Sequence, residues 1–171
     1  MKAFRQSPVE LEEFIDFMEE DIGNVERVIG ELMLEDVDVE FIVHAKAETV
    51  AESAENTEVE ESHIIKTLIF MSEEPVAVLC PGDTSVSEDK LEEIIGEEVR
   101  MANPDEVEEA TGYTIGGVSP FDLDIKVLME ESILDENEVK PAAGSRVVGV
   151  SIDSEALKEI SGAEPVDVSR K

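Results

Sequence analysis

Apolar residues recur at helical spacing near the start of the chain. Ser7 and Pro8 supply an N-terminal cap and a proline suited to a first turn, which predicts helix over residues 7–34. Gly23 and Asn24 interrupt the pattern, so we expect two helices here. The residues expected to face inward are Leu11, Phe14, Ile15, Met18 and Ile22 in the first helix, then Val25, Val28, Ile29 and Leu32 in the second.

Strand signals follow. Residues 37–43 alternate between apolar and mostly acidic positions, which predicts a strand with one buried face. The apolar runs 64–71 and 76–80 are separated by the short polar segment 72–75, which predicts a β-hairpin. Further strand-like segments lie at 99–102, 125–129 and 146–152, and a short helix is expected at 49–55.

Three later helices carry start and stop signals. They are expected after Ser87, after Asn103 and after Asp153 or Ser154, and a glycine follows each. Because helices and strands are mixed without strict alternation, we expect an α/β protein of the α+β type. Its sheet should be mixed, mostly antiparallel and curved, with flanking helices. Residues 1–36 are expected to form a helical extension packed on one compact unit, residues 37–171.

Composition narrows the possible classes of protein. The 171 residues suffice for one domain with a core, and 44 acidic against 13 basic residues give a net charge of −31. That charge excludes a basic protein that coats nucleic acid. The single cysteine, Cys80, excludes an internal disulfide and a cysteine-based zinc site. No apolar run reaches membrane-spanning length and no signal peptide is evident, so we expect a soluble, cytoplasmic protein.

The acidity itself has several interpretations. An acidic interaction tail would be a block, but acidic residues are spread from Glu10 to Asp167. A nucleic-acid mimic remains open. We favour adaptation to a cytoplasm of molar salt, because a Debye length of about 3 Å at 1 M salt screens most of the self-repulsion. In that case the charge reports a halophilic habitat and says little about chemistry.

Familiar catalytic motifs are absent. The chain has neither a phosphate-binding GxxxxGK[ST] loop nor an HExxH zinc motif, so no cofactor and no metal is predicted. The two histidines, His44 and His63, lie far apart in sequence. Cys80 ends an apolar run and is best interpreted as a buried structural thiol.

Two features remain as candidates for chemistry. Lys66 is a lone cation inside an apolar, strand-like run; it is either an edge lysine that reaches solvent or a fixed charge facing a cleft, for a phosphate or an oxyanion. Residues 111–120 hold three glycines and a proline, and they form either a plain connection or a loop that a ligand can approach closely. Lys66 and the loop are expected to share one hollow.

In this order the motifs resemble the YbaK-type (prolyl-tRNA synthetase-associated) aminoacyl-tRNA editing domain family. The resemblance covers residues 44–160, where the order and spacing of the motifs are more specific than any one of them. The matching residues are His44, Thr49, Ile64, Lys66, Thr67, Leu68, Pro81, Gly82, Asp83, Ala102, Glu106, Thr111, Gly112, Gly116, Gly117, Val118, Ser119, Pro120, Ala143, Gly144 and Ser145.

The resemblance implies a YbaK-like fold with a central cleft and an aminoacyl-tRNA deacylase. Such an enzyme hydrolyses the ester of tRNA mischarged with a small amino acid (Cys, Ala or Ser, on the tRNA for proline). Lys66 is implied as the catalytic residue. The implied substrate-binding residues are His44, Thr67, Gly116, Gly117, Val118, Ser119, Pro120, Gly144 and Ser145. The implied partners are the acceptor end of mischarged tRNA and an aminoacyl-tRNA synthetase, with no membrane and no DNA.

Two departures from the family pattern concern carboxylates. Asp122 stands where the family often has a glycine, and Glu130 where an aspartate is typical. Because the molecule is acidic, we expect the scarce cations Lys46, Lys66, Lys126, Lys140 and Arg146 to cluster beside the cleft. A non-catalytic module that binds tRNA or a synthetase with the same fold remains the alternative.

Overall fold

A computed structural model of the chain describes residues 2–6, 11–44 and 60–170. The strands are β1 (Lys2–Gln6), β2 (Val39–Val43), β3 (Ile64–Met71), β4 (Pro75–Pro81), β5 (Arg100–Met101), β6 (Lys126–Glu130), β7 (Glu138–Ser145), β8 (Val148–Asp153) and β9 (Glu164–Val166). The α-helices are α1 (Leu11–Asp16), α2 (Ile22–Met33), α3 (Glu88–Ile95), α4 (Pro104–Thr111) and α5 (Ser154–Ser161). A π-helical turn (Phe17–Asp21) joins α1 to α2, and 3-10 turns lie at Glu61–His63 and Glu131–Asp135.

The strands form one mixed sheet in the order β1-β2-β8-β7-β3-β4-β6-β9, and β5 pairs with β3. Among the described strands, antiparallel pairings hold the larger share of paired residues, and the β3–β4 hairpin is the longest of them. The predicted α+β class, with a mixed, mostly antiparallel sheet and flanking helices, is confirmed. None of the helices in the described ranges is both long and apolar enough to cross a lipid bilayer.

Successive side chains of β3 point to opposite sides of the sheet, and each side contributes to a core cluster of its own. Ile65 and Ile69 belong to the larger core cluster, which also takes side chains from α2, α4 and α5. Phe70 belongs to a smaller cluster on the other face, closed by Leu91 of α3 and by Val168 near the C-terminus. We call these the first and the second face of the sheet.

The predicted helix break at Gly23 and Asn24 is wrong. Helix α2 runs through both residues, and the irregularity is the π-helical turn that precedes it. Glycine in a helix costs only about 1 kcal/mol relative to alanine. Burial of Val25, Val28 and Leu32 against the core outweighs that cost.

The predicted inward stripe of the first helix is wrong for three residues, although Ile22 packs on the larger core cluster as predicted. Leu11, Ile15 and Met18 are 73%, 45% and 46% exposed, whereas Phe17 is buried. A π-helical turn contains more residues than an α-helical turn, so it rotates the preceding helix face relative to α2. A pattern counted at 3.6 residues per turn therefore selects the wrong side chains before Asp21.

Three strands carry no clear sequence signal. Strand β1 lies in the segment expected to be helical and pairs with β2, so residues 1–36 contribute a strand as well as helices. Strand β7 contains Pro141 and Gly144, two residue types that disfavour strands, and β9 has only three residues. The helix expected at 49–55 and the cap at Ser7 fall outside the described residues.

Glu130 fixes the C-terminal segment to the sheet. Its carboxylate is buried and accepts hydrogen bonds from the backbone N–H groups of Ser132 (2.8 Å), Val168 (3.2 Å) and Ser169 (3.3 Å). Burial raises the pKa of Glu130, but these hydrogen bonds outweigh it, so the pKa is lowered overall. Ser169 also bridges to Val86, which closes the second face.

We predict that Glu130→Gln lowers the free energy of unfolding by about 1–3 kcal/mol, because an amide group would meet backbone N–H donors. Urea unfolding at neutral pH measures this, with the exposed neighbour variant Glu131→Gln as control. Because the folded pKa is lowered, the carboxylate's contribution is complete above the ordinary value of 4.5 and is lost as pH falls through the folded pKa. The stability difference should therefore shrink in acid. Equal midpoints for the two variants at neutral pH would contradict this role.

Candidate functional site

Residues 112–121, here called the glycine loop, dock on the tip of the β7–β8 hairpin. A β-carbon on Gly117 would lie 2.9 Å from the Cα atom of Ser145, so the two backbones touch. Gly116 has a φ of +91° and is covered by the side chain of Arg146. Nε of Arg146 donates to the carbonyl oxygen of Ile115 at 3.1 Å. The loop is therefore held closed against the hairpin.

The predicted residues Val118, Ser119 and Pro120 are buried within this docked loop. Tyr113 crosses the loop, since its hydroxyl donates to the carbonyl oxygen of Phe121 at 2.7 Å. Burial raises the pKa of Tyr113 to about 12, which keeps the hydroxyl protonated as a donor. These contacts make the glycine loop a packed element with its own core.

The N–H group of Gly117 donates to the carbonyl oxygen of Thr114 at 3.0 Å. It is therefore engaged inside the loop and is not an open donor for a ligand. From the sequence, backbone groups here are expected to face a hollow. The structure corrects this for the Gly117 N–H, because the loop closes on itself before it reaches Ser145.

His44 joins the same region. It is 5% exposed, and its backbone N–H donates to the carbonyl oxygen of Val147 at 2.8 Å. Its Nε2 atom lies 3.9 Å from the position that a β-carbon on Gly149 would take. The structure thus brings together His44, the glycine loop and the turn after Gly144 and Ser145.

Lys66 lies on β3 directly opposite Cys80 of β4, and both side chains leave the sheet on its second face. Its ammonium group donates to the carbonyl oxygen of Thr84, in the turn that follows β4. The side chain is half-buried on a strand with neighbours on both sides, so the interpretation as an edge lysine is wrong. Burial raises the pKa of the Cys80 thiol, although the Thr84 hydroxyl and the positive charge of Lys66 act in the opposite direction.

Thr67 follows Lys66 and therefore points to the first face, where Val118 and Phe121 of the glycine loop are buried. Within the described part of the chain its hydroxyl is buried without a hydrogen-bond partner. Lys66 and the glycine loop thus lie on opposite faces of β3. Strand alternation directs the Lys66 side chain away from the loop, and the expectation of a single hollow shared by both stays a prediction.

The predicted cations do not all cluster: Lys140 is paired in register with Ile64, two residues from Lys66, on the neighbouring strand, whereas Lys126 lies apart. Lys126 is paired in register with Val76 of β4. Val76 lies four residues along β4 from Cys80, the partner of Lys66, which is a distance of about 13 Å. Lys126 borders a groove of about 510 Å³ at that distant end of the sheet. Lys140 faces a carboxylate, 3.6 Å from Glu138, and Lys46 falls outside the described residues.

Helix α2 contributes contacts that no motif predicts. A β-carbon on Gly144, whose φ is +93°, would lie 2.8 Å from the backbone carbonyl of Asn24 in the first turn of α2. Arg27 of the same helix reaches the glycine loop. The one signal in the sequence is that basic residues are scarce, since Arg27 is one of only 13.

A family model described as an aminoacyl-tRNA editing domain matches residues 44–160. The chain belongs to this aminoacyl-tRNA editing domain family. The match confirms the resemblance to YbaK-type editing domains. It includes every predicted site residue, from His44 to Ser145, and leaves helix α2 outside.

Two curated relatives show how the editing domain occurs elsewhere. The protein YwhH of Bacillus subtilis (strain 168) is 36% identical over 117 residues, which cover 66% of this chain and 74% of YwhH. A proline–tRNA ligase of Maridesulfovibrio salexigens is 34% identical over 103 residues, which cover 58% of this chain. The chain spans only 18% of that ligase, so the similarity concerns one part of a larger enzyme.

Solved structures agree on the fold. A candidate trans-editing enzyme for prolyl tRNA synthetase superposes with a TM-score of 0.78 at 27% identity, over 86% of this chain and 98% of the other. The hypothetical protein APE2540 gives a TM-score of 0.76 at 32% identity, over 86% and 99% of the two chains. The YbaK-like fold predicted from the sequence is thereby confirmed.

We predict that Gly117→Ala destabilises the protein by about 1–3 kcal/mol, because the added methyl group meets the Ser145 backbone. Gly30→Ala is the matched control. Gly30 lies on helix α2 with nothing within 4 Å of an added β-carbon, so this change should stabilise by about 0.5–1 kcal/mol. Thermal unfolding of both variants measures the difference. A Gly117→Ala protein as stable as the wild type would show that the loop does not dock this closely.

Proposed function

We propose that this editing domain is a trans-editing aminoacyl-tRNA deacylase that acts in the cytoplasm. Its substrate is tRNA mischarged with Ala, Cys or Ser, and the tRNA for proline is the first candidate. Family membership supports the reaction class, and the similarity to a proline–tRNA ligase and to a candidate trans-editing enzyme supports the tRNA. The observation that carries the proposal is the positive charge of Lys66, which is oriented by a neutral carbonyl oxygen.

Lys66 keeps its positive charge available to a ligand. In the described ranges its partner is the Thr84 carbonyl oxygen, a neutral acceptor that orients the ammonium group without cancelling its charge. In a molecule of net charge −31, a cation held this way is an uncommon point of attraction for a phosphate or an oxyanion. Its half-buried position shields that attraction from screening by salt.

The orientation of Lys66 favours one of its two candidate roles. Lys66 lies on the second face of β3, whereas Thr67, His44 and the glycine loop lie towards the first face or the hairpin. A tRNA end that passes over the start of β3 would place its terminal phosphate at Lys66 and its aminoacyl group near Thr67. The unpartnered Thr67 hydroxyl would then hydrogen-bond the substrate.

The proposed reaction needs no strong nucleophile. Water attacks the ester carbonyl carbon, the bond to the ribose oxygen breaks, and the products are the free amino acid and the uncharged tRNA. The proton released by the water passes to the departing ribose oxygen or to solvent. Because the ester is already activated, positioning and charge stabilisation supply the catalysis, and we assign no general base.

Selection by size fits the packing of the site. The remaining proposed contacts come from residues 116–120, Gly144, Ser145 and His44, all of them buried except Gly116. Such walls have little freedom to expand, so an additional methylene on the amino acid should cost about 1–3 kcal/mol. This limit admits Ala, Ser or Cys and spares tRNA that carries a larger amino acid.

We predict that the wild type releases Ala, Cys or Ser from charged tRNA and that Lys66→Met reduces kcat/KM about 100-fold or more. Methionine keeps the apolar stem of the side chain and removes only the charge. Since Lys66 is proposed to hold a phosphate, the loss should appear mainly as a higher KM. The assay uses the tRNA for proline charged with each amino acid, at low and at molar salt.

Lys126→Met is the matched control, because it removes a strand lysine at the far end of the sheet. It should leave turnover unchanged. A fall in kcat with constant KM for Lys66→Met would assign the lysine to the ester oxyanion instead of the phosphate. Absence of release from every charged tRNA by the wild type would reject the deacylase, and tRNA binding without turnover would then identify a non-catalytic module.

A further inference from the structure

One arginine of helix α2 binds both ends of the glycine loop. Nη1 of Arg27 donates to the carbonyl oxygen of Thr111 at 3.1 Å, immediately before the loop. Nη2 donates to the carbonyl oxygen of Asp122 at 2.9 Å, immediately after it. The Nε atom forms an ion pair with the Asp122 carboxylate at 3.0 Å.

The guanidinium group also packs on the inside of the loop. Its central carbon lies 4.1 Å from the centroid of the Tyr113 ring, a cation–π contact with a side chain that is fully buried. A β-carbon on Gly112 would lie 2.8 Å from Nη1, so a side chain at this position would displace the guanidinium group. Arg27 therefore fits the loop by shape as well as by charge.

Asp122 shows that the end of the loop is constrained. Its φ of +56° lies in the left-handed region, where a residue with a side chain is uncommon and glycine is favoured. Both the carbonyl oxygen and the carboxylate of Asp122 are bound by Arg27, which stabilises this conformation. Because Arg27 binds the residues at both ends of the glycine loop, it constrains the conformation of the loop between them.

Other contacts place α2 against the parts that the loop touches. The Thr114 hydroxyl donates to the carboxylate of Asp21 at 3.3 Å, and the Asn24 backbone packs on Gly144 beside the hairpin tip. Helix α2 thus contacts both the glycine loop and the hairpin on which the loop docks. It lies outside residues 44–160, so the matched editing domain does not include this support.

We propose that Arg27 is a positioning residue of the editing site. By holding Thr111 and Asp122 together it fixes the glycine loop in the conformation that docks on Ser145. The consequence for catalysis rests on the deacylase function proposed above, whereas the consequence for loop order does not. Helix α2 is then a working part of the site.

Hydrogen–deuterium exchange of the full chain tests loop order directly. Arg27→Ala should accelerate exchange of amides in residues 112–122 about tenfold or more, with little change in the β3–β4 hairpin. Arg27→Lys keeps the charge but lacks the fork that reaches both carbonyl oxygens, so it should show an intermediate increase. Arg100→Ala is the matched control, because Arg100 also binds a carboxylate with two nitrogens, on Glu106 in the first turn of α4, at the end of that helix remote from Thr111.

Three results in the arginine variants would overturn the clamp, and a fourth comes from a variant of Asp122. The first three are loop exchange in Arg27→Ala equal to that in Arg100→Ala, acceleration shared equally by the β3–β4 hairpin, and wild-type exchange in Arg27→Lys. Asp122→Gly separates the ion pair from the carbonyl contacts: glycine accepts the left-handed φ and both carbonyl bonds remain, so loop exchange should rise less than in Arg27→Ala. An equal rise would locate the effect in the carboxylate alone and would reject the two-ended clamp.

A kinetic measurement then links loop order to catalysis. A loosened loop should lower kcat of deacylation about 10- to 100-fold in Arg27→Ala while KM changes less, because the phosphate contact at Lys66 is intact. Unchanged kcat in a variant with a mobile loop would remove Arg27 from the site. If the wild type has no deacylase activity, the proposed function fails, and the exchange data still decide whether Arg27 clamps the loop.

Discussion

Close approach of the Gly117 backbone to Ser145 is the constraint on which the arrangement of the site depends. There is no room for a β-carbon between the two backbones. Because glycine lacks one, the glycine loop can lie flat on the β7–β8 hairpin and bury Val118 and Ser119. The same device recurs where Gly144 meets the backbone of Asn24. Loop, hairpin and helix α2 therefore meet through their main chains, which allows little independent movement. Of the three loop glycines predicted to admit a ligand, Gly117 meets neighbouring backbone, whereas Gly112 and Gly116 meet the side chains of Arg27 and Arg146.

Much of the fold was predictable because its signals are local. The β3–β4 hairpin and the three capped helices are each specified within about ten residues, and all appear where they were predicted. Strand β7 was missed because Pro141 and Gly144 disfavour a strand that exists only through its partners β3 and β8. The exposed face of α1 was misassigned because the π-helical turn changes the register without leaving a mark in the sequence.

The sequence marks out candidate site residues but not their geometry. A lysine within an apolar run of an acidic chain is conspicuous whatever the fold. Which way Lys66 points could not be deduced, because residues 64–71 are apolar on both faces and strand parity then carries no information. Arg27 was missed for a different reason. Its partners lie 84 and 95 residues away along the chain, a separation that no local pattern encodes.

The charge of the molecule and its proposed ligand can be reconciled through the partners of the cations. In the described ranges, Lys90 and Arg100 face carboxylates and are neutralised locally. Lys66 and Arg146 instead donate to the backbone carbonyl oxygens of Thr84 and Ile115, which direct them without cancelling their charge. Repulsion between a tRNA and the acidic surface acts over distance and is screened by salt, whereas an oriented cation acts at contact. An acidic editing domain can therefore hold an anionic end of tRNA with very few cations, provided that neutral oxygens orient them.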